Sequence, residues 1–128
     1  MTVIDKLVGS TEQTTGLSIA ESAEDDEPPL NVLVEVAIAK GEWHNSEGQH
    51  EAALASFSDA INYLHHRVMP YQNLLTSEEL DDYEDQFRRA WQGNAEAYQG
   101  LGEDRMAQIA AKTARDGWQD ELNRWKRK

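Results

Sequence analysis

No cysteine occurs in the 128 residues, which excludes disulfides, thiolate metal sites and cysteine nucleophiles at once. Proline is scarce too, at three residues, and two of them stand together as Pro28 and Pro29. Long stretches therefore contain no helix breaker. Positive charge is the third shortage: 12 Lys and Arg face 24 Asp and Glu, for a formal net charge of -12. That balance opposes attraction to phosphate backbones and anionic bilayers, so neither nucleic acid nor membrane is expected as a partner. Met1 to Ser10 carries one lysine and no sustained apolar run, and reads neither as a secretory signal nor as a membrane anchor. A cytoplasmic protein is expected.

The length suits one domain, long enough to bury about two-thirds of its unfolded surface. Residues 1–29 are rich in Ser, Thr, Gly and acid and end in Glu24-Asp25-Asp26-Glu27-Pro28-Pro29. Such a run repels itself and reads as a flexible acidic N-terminal arm. Within it, Val3, Ile4, Leu7 and Val8 form an apolar piece able to dock on the domain or on a partner.

Residues 30–128 read as one all-α domain. Val32, Val34, Val36 and Ile38 alternate as in a strand, but no second strand is available to pair with them, and Leu33, Ala37 and Gly41 share a helical face. A helix over about 31–46 is expected. Ala53, Phe57, Ala60, Leu64 and Val68 keep steps of three and four residues and predict a second helix over 49–69, which Pro70 ends or kinks. Thr76 with Glu79 fits a capping box, opening a third helix over 77–100. Gly100-Leu101-Gly102 breaks it, and a fourth over 103–125 carries Ala107, Ala111, Ala114, Trp118, Leu122 and Trp125 on one stripe.

The two halves echo each other. Glu42, Gly48, Ala53 and Ala60 recur 54 residues later as Glu96, Gly102, Ala107 and Ala114. Apolar positions correspond as well, Leu33 with Phe87 and Leu64 with Trp118. A repeated helical hairpin suggests a scaffold before a catalyst.

In Trp91, Asn94, Ala95, Tyr98, Gly102, Ala107, Ala111 and Ala114 the spacing resembles the tetratricopeptide repeat (TPR) family. An earlier copy, Ala37, Gly41, His44, Gly48, Ala53, Phe57 and Ala60, matches less closely, with His44 where a bulky aromatic is usual. The resemblance implies two long antiparallel helical hairpins in a right-handed stack. The 54-residue offset exceeds the family's period of about 34, and two units fall short of the roughly three that a solenoid usually needs. The end of the stack therefore needs a cover. The stripe Trp118, Leu122 and Trp125 can supply it by folding back, or can pair with another subunit.

The resemblance also implies a concave face lined by the first helix of each pair. Carried over, its residues are Glu35, Ile38, Glu42 and Asn45, then Arg89, Gln92, Glu96 and Gln99. They lack the family's carboxylate clamp of lysine, asparagine and arginine. With Glu42 and Glu96 in key places, a basic or neutral segment of a partner is the expected ligand. A second, weaker resemblance is to the three-helix microtubule-interacting-and-trafficking (MIT) domain, on Glu51-Ala52-Ala53-Leu54-Ala55-Ser56-Phe57-Ser58-Asp59-Ala60-Ile61 and Arg88-Arg89-Ala90. It leaves Trp118 to Trp125 unaccounted for.

Sites for chemistry are sparse. His50-Glu51-Ala52-Ala53-Leu54 begins like a zinc protease helix, but Leu54 stands where the second histidine must be. His44, Glu47, His50 and Glu51 form no defined ligand motif. His65 and His66 point about 100° apart and do not converge on one ion. Gly100-Leu101-Gly102-Glu103 lacks the third glycine of a dinucleotide loop and places acid where phosphate would sit. No catalytic residue, metal or cofactor is expected. Two functions remain open: a non-enzymatic adaptor holding a partner protein, and a structural subunit of a homo-oligomer built through Trp118, Leu122 and Trp125.

Overall fold

A computed structural model describes residues 28–126; the acidic arm and its Val3-to-Val8 piece lie outside them, apart from Pro28 and Pro29. The described chain is all-α, without a strand: α1 Leu30–Ser46, α2 His50–Arg67, a 3-10 segment Met69–Leu74, α3 Ser77–Gly100 and α4 Asp104–Lys126. No described helix is long and apolar enough to cross a membrane.

The alternating valines of α1 resolve into two helical stripes. Val34 and Ile38 are fully buried, whereas Val32 and Val36 lie on the opposite side and are 41% and 49% exposed. Steps of four residues keep each pair on one face, which a strand reading cannot distinguish from alternation.

The second helix ends earlier than its periodicity predicts. Pro70 has no N–H, its ring opposes the carbonyl four residues back, and it disfavours helical geometry at the residue before it. The α-helix accordingly stops at Arg67, and the chain continues as the tighter 3-10 segment. The third helix opens on a complete capping box. Glu79 N–H donates to Thr76 Oγ1 at 3.0 Å, and Thr76 N–H donates to Glu79 Oε1 at 2.9 Å.

Both interhelical turns have the same backbone. Gly48 and Gly102 take left-handed φ values of 75° and 77°, where a Cβ would be strained. Gln49 N–H donates to His44 O, and 54 residues later Glu103 N–H donates to Tyr98 O, both at 2.8 Å. Gly48 N–H to Asn45 O at 3.1 Å is matched by Gly102 N–H to Gln99 O at 3.0 Å. This is the Schellman closure, and it satisfies carbonyls that a helix end otherwise leaves unpaired.

α1 packs on α2 and α3 on α4, while α3 also packs on both α1 and α2. At the centre, α2 buries Ala53, Phe57, Ala60 and Leu64. The tip of the Phe57 ring sits between two glycines of neighbouring helices. A Cβ at Gly41 of α1 would lie 2.7 Å from it, and one at Gly93 of α3 would collide more severely. The backbone of both helices thus approaches the ring itself, and full burial of a Phe contributes about 2–3 kcal/mol.

The aromatic stripe of α4 closes this core. Trp118 is 4% exposed and meets Phe87 edge-on with ring centroids 5.4 Å apart. Leu122 and Trp125 are partly buried against the same cluster. Folding back takes up the stripe, because its residues repeat every three or four positions along the face of α4 that meets α3.

Candidate functional site

The eight residues that the resemblance assigns to a concave face do not all lie at the surface. Ile38 is fully buried and Asn45 is 7% exposed. At 100° per residue, positions 38 and 45 lie about 60° round the helix from Glu35 and Glu42, toward the core. Both therefore leave the proposed groove. Asn45 instead ties the hairpins together: its Nδ2 donates to Gly93 O at 3.1 Å, and its Oδ1 accepts from His50 Nδ1 at 3.0 Å.

Glu35 and Arg89 face each other across α1 and α3. Arg89 donates through Nη1 to Glu35 Oε1 at 3.0 Å and through Nη2 to Oε2 at 2.8 Å. Arg89 Nη2 also lies 3.6 Å from Glu42. The guanidinium hydrogen bonds hold the Glu35 carboxyl below its ordinary range against the opposing effect of burial, with Gln86 adding a further bond. Glu35 in turn raises Arg89.

Arg89 thus pairs with Glu35 and lies near Glu42, so it offsets part of the negative charge along α1. Glu42 remains half-exposed, and Gln92, Glu96 and Gln99 of α3 are exposed. The 54-residue offset of Glu35 and Arg89 was a signal for this pair, since equivalent positions of packed hairpins come close.

What sequence reasoning did not single out is the outer face of α1. Val32, Val36 and Trp43 are all exposed, Trp43 at 56%, and at 100° per residue they fall within about 40° of one another. Ala39, also exposed, continues the same strip toward Glu42 and Glu35. The result is an apolar surface with an indole at one end and carboxylates along one side. Aromatic residues on such surfaces are frequent anchors of protein contacts.

His44 and His50 make side-chain hydrogen bonds around the first turn. His44 Nδ1 donates to Gln49 Oε1 at 2.8 Å, and His50 turns to Asn45 at a point where α3 presents Gly100 without a side chain. No group of three or more His, Asp or Glu suited to a metal ion occurs among the described residues. His65 is more engaged than its sequence position suggests. Its Nδ1 lies 2.7 Å from Glu121, and its ring stands edge-on to Trp125 with centroids 5.9 Å apart.

These features define an all-α protein of two hairpins with matching turns, whose most distinctive surface is an apolar helix face beside a charged pair. Compared with known proteins, the chain matches no family model, no curated protein and no solved structure.

Proposed function

We propose that this chain is a non-enzymatic helical scaffold of TPR-like design, which holds a basic or neutral segment of a partner protein along α1 and the neighbouring face of α3. The observation that carries the reading is the exposed strip Val32, Val36 and Trp43 bordered by Glu42. Apolar strip and carboxylate together favour a segment in which aliphatic residues alternate with lysine or arginine. The cation can sit over the Trp43 indole or beside Glu42. The matching turns and the contact of α1 with α3 support the TPR-like design, and the net charge of -12 favours the same class of ligand.

Quantitative capture from the native source tests the reading. Wild type is compared with Trp43→Ala plus Glu42→Lys and with Glu96→Lys, helicity being checked by circular dichroism. At least one partner is expected to drop about tenfold with the double variant, as for loss of one anchor contact. Equal recovery of every partner would remove the α1 face from consideration.

A further inference from the structure

The exposed strip on α1 occupies the same places in its hairpin as a buried strip of α3, the helix that packs on the first hairpin. Gln86, Ala90, Gly93 and Ala97 are all buried and fall on one side of α3 at helical spacing. Gln86 Nε2 donates to Asn31 O at 3.0 Å, Gly93 O accepts from Asn45, and the Phe57 ring lies against Gly93. Their counterparts 54 residues earlier are Val32, Val36, Ala39 and Trp43, every one exposed. The converse also holds. α1 buries Val34, Ala37, Ile38, Gly41 and Asn45, whereas their counterparts on α3, Arg88, Trp91, Gln92, Ala95 and Gln99, are not buried. Each hairpin therefore leaves open the face that the other one uses.

Size is complementary at the two closest approaches. Inside the chain the Phe57 ring needs Gly93 and the His50 ring needs Gly100, because a Cβ at either glycine would run into the ring. The counterparts of the glycines, Ala39 and Ser46, carry a Cβ, but those of the rings, Ala111 and Asp104, carry no ring. Where one face gains an atom, the other has withdrawn. The withdrawal leaves a surface cavity of about 380 Å³ walled by Ala95, Gln99, Asp104, Ala107, Gln108 and Ala111. Trp43 is the counterpart of Ala97, which lies between Gly93 and Gly100 on α3. The same register brings its indole to that cavity.

Charge agrees. The pair of Glu35 and Arg89 recurs with its members exchanged, Arg89 of one copy opposite Glu35 of the next. Asn62 and Asn94 wall one cavity inside the chain, and their counterparts, Asp116 and Lys40, are exposed and of opposite sign.

We infer that copies of this chain dock head to tail, the α1 strip of one seating on the α3–α4 face of the next and repeating the contact that joins the two hairpins. Trp43 of one copy enters the cavity beside Ala111 of the other. Such a contact uses two different faces, so it propagates beyond a dimer until a ring closes or a filament grows. The inference does not rest on the partner-segment reading. Both use the α1 strip, so a bound segment and a second copy exclude one another.

Sedimentation equilibrium of the full chain over a concentration series reads the assembly. Salt of about 0.15 M screens repulsion between copies of charge -12 beyond roughly 8 Å. The average mass is expected to rise past that of a dimer, with a dissociation constant below about 1 mM. Trp43→Glu destroys the α1 strip and Ala111→Glu blocks the cavity, and each alone is expected to weaken assembly at least about tenfold. Mixed, the two variants are expected to form a dimer and stop, because one retains an intact cavity and the other an intact strip. Both add negative charge, so relief of repulsion does not produce that recovery. Gln108→Glu, at an exposed position on the cavity wall, replaces Ala111→Glu where circular dichroism shows lost helicity. A mixed-isotope crosslink between Lys40 of one copy and Lys112 of another is also expected, since their counterparts, Asn94 and Ser58, wall one cavity.

The inference is overturned by a wild type that stays monomeric throughout the series, or by mixed variants that do not associate. A mass that stops at a dimer and is unaffected by Ala111→Glu also overturns it, and would mean that two α1 strips pair with each other. Partner capture separates the two readings. Ala111→Glu is expected to remove self-association and leave capture at the wild-type level, so either reading can fail alone.

Discussion

Placing a single methyl group at position 93 probes the closest approach in the core. Gly93→Ala puts a Cβ into the Phe57 ring, and the ring cannot retreat because Gly41 holds its other side, where a Cβ would lie only 2.7 Å away. Alanine is worth about 1 kcal/mol over glycine in a helix interior. Overpacking costs typically about 1–3 kcal/mol, and confinement on both sides places this clash at the upper end. The net expectation is a loss of roughly 2 kcal/mol, or a fall in Tm of roughly 10 °C for a domain of this size. Urea denaturation followed at 222 nm measures it. Phe57→Leu shortens the ring's reach, so Gly93→Ala is expected to be less harmful in that background, with a coupling of at least about 0.5 kcal/mol between the two sites. If Gly93→Ala proves neutral or stabilising, or if the two changes simply add, the clamp around Phe57 is not as described.

Gly48→Ala and Gly102→Ala should each cost about 1 kcal/mol, and by nearly equal amounts, because the two turns share φ and hydrogen bonding; a large inequality in urea midpoints would deny their equivalence. Glu35→Gln should lose about 1 kcal/mol at neutral pH, a modest figure because the pair is partly exposed. The folded-state pKa of Glu35 is lowered, so its contribution is full above the ordinary carboxylate pKa and fades as pH falls through the lowered value. Wild type and variant should therefore converge progressively as unfolding is measured at pH values taken below the ordinary carboxylate range. Trp118→Ala should cost about 3–5 kcal/mol without changing the mass measured by light scattering, whereas a change of mass would return the α4 stripe to an oligomer seam.

Helix periodicity was the most legible property of the chain. Steps of three and four residues marked α2 and α4, and the capping box marked the start of α3, because each signal is local. Val32 to Ile38 alternate because Val34 and Ile38 serve the core while Val32 and Val36 face solvent, and only the packed helices show which pair is which. Family spacing pointed to α1 and α3 but assigned Ile38 and Asn45 to a surface that the rotation of α1 denies them. The Glu35–Arg89 pair was legible only through the 54-residue offset of its members, and no pattern in the sequence announces the His65–Glu121 contact. Exposure of Trp43 was equally hidden, because no local pattern shows which face of α1 its neighbouring helices leave open.

Crosslinking mass spectrometry on complexes from the native source addresses the scaffold proposal most directly. Lys40 is exposed on α1, whereas Lys112 and Lys126 lie on α4, so the lysines distinguish the two sides of the molecule. Partner crosslinks concentrated at Lys40, and lost with Trp43→Ala plus Glu42→Lys, are the predicted result. Partner crosslinks confined to Lys112 and Lys126, unaffected by that variant, would contradict it.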